Sequence, residues 1–150
     1  MSIVPIPYQV DVDRKNFEIE IWQRSQTKRR YILKEKIKCA IGTEGHDTPA
    51  GRYEIYAKKL NPSWTVPNTD WAKEKGLIPG TVIPGGTFDN PLRGAFLAIV
   101  EDPTGNVGIH GTRNIDSIGT RASHGCIRVE EATAVRLYYK LPKYTPVHIY

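Results

Sequence analysis

Apolar and polar residues alternate along the first part of the chain, at positions 8–12 and again at 17–21. Because successive side chains of a strand point to opposite faces, this period of two predicts two half-buried strands. Residues 13–16 between them have the composition of a hairpin turn. The same criterion predicts a third strand over about 31–41 and a fourth over about 53–57.

The alternation breaks down between residues 60 and 94, where prolines and glycines are frequent. A loop of this length is uncommon in a compact domain unless it has a role such as covering a site. The segment contains Trp64 and Trp71, and two interpretations remain open. In the first, the tryptophans line a substrate groove; in the second, they only anchor a surface loop.

The apolar run at 95–100 predicts a central strand, since both of its faces are apolar. Residues 101–106, with Pro103, predict a turn. A returning strand is expected over 107–111, and a last strand over 146–150.

A single amphipathic helix is predicted over about 130–140, before Pro142. Its apolar stripe consists of Ala134, Leu137, Tyr138 and Leu141. The chain is therefore expected to form one mainly β domain over residues 1–150. Its mixed sheet should be arranged as a sandwich or barrel, with a short helix in the C-terminal half.

The chain carries a formal net charge of +5, which suits an anionic partner such as nucleic acid, a membrane surface or an acidic wall polymer. The basic residues are dispersed, however, and the densest run, 28–30, is interpreted as the solvated tip of a hairpin. No nucleic-acid-binding motif is found, and no apolar run reaches the ~20 residues of a membrane span. Residues 1–7 lack the features of a signal peptide. We expect a monomer.

Cys126 has unusual neighbours for a chain with two cysteines. It follows His124 and Gly125, and His110 lies at the end of a predicted strand. Either imidazole could deprotonate the thiol, and the backbone amides of Gly125 and Cys126 could stabilise an oxyanion. From the residues alone, three uses of Cys126 remain open: a nucleophile, a buried structural thiol, or a zinc ligand together with His110, His124 and His148.

Other residues with possible chemistry have simpler explanations. Cys39 lies on the expected apolar face of the third strand and is predicted to belong to the core. His46 is expected to be exposed in a turn, and His148 on a strand surface. The charges of Arg113 and Asp116 are expected to be solvated.

The stretch IHGTRNIDSIGTRASHGCIR, residues 109–128, resembles the signature of the L,D-transpeptidase catalytic domain, the YkuD-type family. Three further segments resemble family features in the same order. These are GTEGHDTPAGRYEI, with a Thr-Pro-x-Gly turn, PGGTFDNPLRG before the central strand, and TPVHIY as the closing strand. The similarity spans roughly residues 8–150.

The resemblance implies a cofactor-free enzyme that acts on the tetrapeptide stems of peptidoglycan, outside the cytoplasm. It assigns Cys126 as the nucleophile and His110 as the general base and acid. A thioester on Cys126 would be resolved by an amine, giving a 3→3 cross-link, or by water in a carboxypeptidase or endopeptidase. The residues expected to support the reaction are Ser123, His124 and Gly125, and those expected to contact the substrate are Gly111, Thr112, Arg128 and Trp64.

The sequence departs from the family pattern after the Cys-Ile-Arg motif, at Val129, Glu131 and Thr133. The helix that starts here is therefore expected to have a weaker or differently built N-terminal cap. A non-catalytic wall-binding module is the alternative from another functional class, and a zinc protein is a further one.

Overall fold

The computed structural model describes residues 5–102 and 105–150, and strands predominate in this part of the chain. The strands are β1 (Tyr8–Asp13), β2 (Glu18–Arg24), β3 (Tyr31–Lys38), β4 (Ile41–Gly42), β5 (Gly51–Glu54), β6 (Ala57–Leu60), β7 (Trp64–Thr65), β8 (Val82–Ile83), β9 (Arg93–Val100), β10 (Val107–Thr112), β11 (Arg121–Ser123), β12 (Ile127–Glu130) and β13 (Pro146–Ile149). The helices are α1 (Asp70–Glu74) and α2 (Glu131–Lys140), with a 3-10 turn at Ile115–Ser117. The mainly β class and the helix in the C-terminal half are confirmed.

Two larger sheets organise the described residues. The first has the strand order β3-β2-β1-β13-β5, and the second has the order β12-β10-β9-β6. Both are mixed, because β1 pairs with β13 in parallel and β10 pairs with β12 in parallel. Two short pairs, β11-β4 and β7-β8, complete the pairing.

The core is one cluster of buried apolar side chains to which both sheets contribute. Alternate residues of β1 and β2, such as Val10 and Ile19, enter it from one sheet, and Leu97 and Ile109 enter it from the other. Helix α2 packs against β9 and β10 and adds Leu137, which is fully buried. Burying a leucine side chain stabilises the fold by roughly 1.5–3 kcal/mol.

The third predicted strand is too long. Strand β3 ends at Lys38. The amide of Cys39 still bonds to the carbonyl of Phe17 beside β2, whereas that of Ala40 donates to the carbonyl of Arg128 in β12 at 2.8 Å, so the chain leaves the first sheet after Cys39. Cys39 is fully buried, as predicted. The face expected to be apolar is partly exposed at Leu33, since β3 is the edge strand of its sheet.

The prediction of one strand over 53–57 is wrong. The chain forms β5 and then β6, which belong to different sheets. At the crossing, Ile55 donates its amide to the carbonyl of Thr145, and Tyr56 donates to that of Ala98, each at 3.0 Å. Backbone hydrogen bonds to two different sheets therefore bend a segment whose local pattern looks continuous.

The segment 60–94 is more ordered than its composition suggested, since it contains β7, α1 and β8. Strand β10 continues to Thr112, beyond the expected end, and β11 and β12 were not predicted. Residues 28–30 are exposed between β2 and β3, as expected. Pro103 in the predicted turn over 101–106, and residues 1–4, lie outside the described residues.

Candidate active site

Cys126 and His110 are positioned by two adjacent parallel strands. Cys126 immediately precedes β12, and the register pairs Ile127 with Ile109 and Arg128 with His110. The Sγ atom of Cys126 lies 3.6 Å from the carbonyl oxygen of Asn106, the residue that immediately precedes β10. Since strand side chains alternate, Ile109 enters the core while His110 points to the opposite face of the sheet.

The ring orientation of His110 is fixed by one hydrogen bond. Its Nδ1 lies 2.7 Å from the carbonyl oxygen of Gly111, and because a carbonyl only accepts, Nδ1 carries the proton. Nε2 is then left with a free electron pair, as a general base requires. Burial lowers the pKa of His110 to about 4, with the positive charge of Arg128 acting in the same direction and the Gly111 bond opposing both.

The thiol of Cys126 is also neutral at rest. Burial raises its pKa, although the backbone N–H of Gly108 and the charge of Arg128 act against this. At neutral pH the pair therefore consists of a thiol and a neutral imidazole rather than a thiolate and an imidazolium. Such a pair needs proton transfer to His110 before the sulfur can attack.

Ser123 holds the turn that presents the thiol. Its hydroxyl accepts a hydrogen bond from the amide of Gly125 at 3.1 Å and donates one to the carbonyl of Cys126 at 2.5 Å. The Gly125 amide is therefore already bonded, which corrects the expectation that it helps to stabilise an oxyanion. Among the described residues the amide of Cys126 has no hydrogen-bond partner, and it remains available for that role.

The backbone conformation at position 125 requires a glycine. Its φ angle of +128° lies in a region that residues with a Cβ atom rarely adopt. A Cβ atom placed there would meet Val107 at 3.7 Å, which is an ordinary contact. Strain in the turn, more than lack of space, would therefore oppose any side chain at this position.

Thr48 is a site residue that the sequence reasoning missed. It is buried, and its hydroxyl donates to the carbonyl of Gly125 at 2.7 Å and accepts from the amide of Gly42 at 2.9 Å. These bonds fix the orientation of the peptide that joins Gly125 to Cys126. The available signal was the Thr-Pro-x-Gly segment itself, which contains Thr48.

His124 belongs to a stack of aromatic rings at the edge of the site. The ring of Trp71, in α1, lies parallel to it with centroids 3.8 Å apart, and His46 meets it edge-on at 5.0 Å. Burial, with nearby Lys75, His46 and Arg128, lowers the pKa of His124 to about 4. A neutral ring at neutral pH fits a supporting role, and the stack holds α1, within the segment 60–94, against the residue two positions before Cys126.

The four residues expected to contact substrate differ in their accessibility. Gly111 and Thr112 are buried in β10, and a Cβ atom on Gly111 would come within 2.4 Å of the carbonyl of Arg93. Arg128 is half-buried, and none of the described carboxylates forms an ion pair with it. Trp64 lies in β7, paired with Ile83, whereas the tryptophan in contact with a site residue is Trp71.

His46 is exposed, as expected, although it contributes to the stack. His148 lies in β13, away from Cys126 in the fold, and its ring lies near that of Tyr150. Within residues 5–102 and 105–150, no group of three or more His, Cys, Asp or Glu side chains is arranged to hold a metal ion. None of the described helices is long and apolar enough to span a bilayer.

The sequence of this chain is similar to a known protein family and to several of its members. The sequence matches the family model of the L,D-transpeptidase catalytic domain, YkuD, over residues 7–149. The putative L,D-transpeptidase YqjB of Bacillus subtilis is 32% identical over 124 residues, which cover 79% of this chain and 62% of YqjB. The probable L,D-transpeptidase YbiS of Escherichia coli is 34% identical over 112 residues, which cover 71% of this chain and 34% of YbiS. The chain thus spans less than two thirds of either relative.

The fold is also similar to a solved catalytic domain. The NMR structure of the catalytic domain of an L,D-transpeptidase from Enterococcus faecium, acylated by ertapenem, has a TM-score of 0.64 and 22% identity. The alignment covers 99% of this chain and 100% of that one. At this identity the likeness shows that the two chains share their fold.

Proposed function

Because the chain belongs to the L,D-transpeptidase catalytic-domain family, we propose that it transfers acyl groups of peptidoglycan stem peptides through a thioester on Cys126. The donor is a tetrapeptide stem, and the attacked carbonyl is that of the L-centre of the third residue, a diamino acid. The observation that carries the proposal is the pairing of β10 with β12, which brings a neutral, oriented His110 to the strand beside the thiol.

The first half-reaction uses the groups already described. Nε2 of His110 takes the thiol proton as the sulfur attacks the carbonyl, and the amide of Cys126 faces the developing oxyanion. When the intermediate collapses, the carbon–nitrogen bond to D-alanine breaks, and the imidazolium returns its proton to the leaving amine. The low pKa of His110 makes its protonated form a strong acid, which favours this return.

Arg128 supplies fixed positive charge to the site. It lowers the pKa of both His110 and Cys126, so it stabilises the thiolate as the thiol loses its proton. Its guanidinium also suits the terminal carboxylate of the donor stem, because the planar fork binds carboxylates through two hydrogen bonds. A substrate outside the cytoplasm implies that the protein works in the cell envelope.

The test is mass spectrometry of the products formed from a disaccharide-tetrapeptide. Transpeptidation gives free D-alanine and a 3→3 dimer, whereas hydrolysis gives free D-alanine and a tripeptide only. Cys126→Ala should give neither product, and Cys39→Ala is the matched control, since its thiol is fully buried. Unchanged substrate after incubation with folded wild-type protein would reject the proposal and favour a wall-binding module.

A further inference from the structure

A shallow depression of about 360 Å³ lies beside the candidate active site. Its polar lining is acidic and phenolic, although the chain as a whole carries a net charge of +5. The residues that line it are Tyr53, Glu54, Tyr56, Ile99, Val100 and Glu101. Both carboxylates are exposed, and no described Lys, Arg or His forms an ion pair with either.

Strand register places the lining of the depression close to Cys126. Val100, which lines the depression, pairs with Val107 across the antiparallel pair β9-β10, and Asn106 directly precedes Val107. The carbonyl oxygen of Asn106 lies 3.6 Å from the Sγ atom of Cys126. The depression and the thiol therefore both lie close to the start of β10.

Tyr56 connects the depression to the thiol. Its hydroxyl is buried and has no hydrogen-bond partner among the described residues. Burial raises its pKa, and the negative charge of Glu101, and that of Cys126 once it is deprotonated, act in the same direction. A buried hydroxyl without a partner costs free energy, and a ligand that accepts or donates a hydrogen bond there would recover it.

We infer that this depression binds the primary amine of the acceptor, as its ammonium form, between Glu101 and the hydroxyl of Tyr56. The inference rests on the proposed function and adds the site of the second substrate. Two unpaired carboxylates attract a cation, and the position beside Cys126 allows the same nitrogen to reach the thioester carbonyl.

The second half-reaction balances with groups already named. The ammonium first gives one proton to water through the carboxylate of Glu101, which makes the nitrogen nucleophilic. Its electron pair then forms the new carbon–nitrogen bond as the carbon–sulfur bond breaks. The second nitrogen proton passes through His110 to the departing sulfur, so an amide and a neutral thiol remain.

The experiment separates the two half-reactions. The disaccharide-tetrapeptide serves as donor, and Nα-acetyl-lysine amide serves as an acceptor with one primary amine. Acylation of Cys126 is followed by intact-protein mass spectrometry, and the ratio of aminolysis to hydrolysis is followed by product analysis as the amine is titrated.

Glu101→Gln should raise the amine concentration needed for half-maximal aminolysis about fivefold, the upper range for an exposed ion pair. Tyr56→Phe should lower the ratio of aminolysis to hydrolysis about tenfold, since it removes the hydroxyl proposed to bind the amine. Both effects should exceed any change in acylation rate. Added salt should weaken amine use by the wild type and not by Glu101→Gln, because salt screens exposed charges.

Asp116→Asn is the charge-matched control, since Asp116 is exposed in the 3-10 turn and forms no ion pair with a described residue. Equal loss of aminolysis in this control would show an effect of net charge alone and reject the site. Normal aminolysis in both site variants, or losses no greater than those in acylation, would also reject it. If the wild type is never acylated, the proposed function is overturned instead. If it is acylated but the thioester is only hydrolysed at every amine concentration, the amine site alone is overturned.

Discussion

The protonation state of His110 leads to a quantitative prediction for the pH dependence of acylation. Its pKa of about 4 compares with an ordinary value of 6.5, and each pKa unit corresponds to ~1.4 kcal/mol. The folded protein therefore favours the neutral imidazole by about 3 kcal/mol. The cause is burial, since His110 is only 4% exposed.

Acylation by a carbapenem should accordingly be nearly independent of pH from about 5 to 8 and fall to half near pH 4. The carbapenem supplies a strained carbonyl, so the reaction needs only the thiol and its base. Intact-protein mass spectrometry at a series of pH values measures the rate, with circular dichroism to show that the protein remains folded.

Two results would contradict this reasoning. A midpoint near 6.5 would show that His110 is not shielded from water. A rate that rises tenfold per pH unit between 5 and 8 would show attack by a thiolate formed without His110. The comparison of His110→Gln with the wild type assigns the midpoint to His110, because the variant has no imidazole to titrate.

The same pKa predicts a loss of stability in acid. Between pH 6.5 and about 4 the unfolded chain binds a proton that folded His110 does not bind, so the free energy of unfolding falls as the pH decreases. The full loss from this residue, about 3 kcal/mol, should be reached below pH 4. His110→Gln should show a flatter dependence in urea unfolding, and an unchanged slope would contradict the assignment.

Three further predictions concern the thiols, the histidines and the turn. Cys126→Ala should abolish carbapenem adducts and turnover, whereas Cys39→Ala should retain most of both. A chelator should change neither quantity. Equal loss in the two variants, with both folded, would refute the assignment of Cys126 as the nucleophile. His110→Ala should lower the acylation rate ~10²–10⁴-fold, and His124→Ala should lower it less, because its ring stacks at the edge of the site. A larger loss in His124→Ala than in His110→Ala, at equal stability, would exchange their roles. Gly125→Ala should lower the free energy of unfolding by of order 1–3 kcal/mol in thermal or urea unfolding, since the φ of Gly125 is +128°. It should also slow acylation by displacing the thiol. A variant with wild-type stability and rate would show that the turn tolerates a side chain.

The sequence by itself determined the elements with a clear period and the order of the reactive residues. Alternation along 8–12 and 17–21 predicted β1 and β2, and the apolar run predicted β9, because these segments bury one or both faces. The apolar stripe of α2 predicted that helix in the same way. The expected weakness of its N-terminal cap is confirmed, since Glu130 makes no side-chain capping bond.

Only the tertiary structure decided how the site is assembled. Strand β12 has four residues and β4 has two, which is too short for a period to be recognised, and their existence depends on partners distant in sequence. The bond from Thr48 to Gly125 spans 77 positions, and the stack of Trp71 on His124 depends on where the segment 60–94 settles. The tautomer of His110 likewise follows from a hydrogen bond to the folded backbone. Residue order specifies which groups are present, whereas their protonation and orientation arise from burial and pairing that local sequence does not encode.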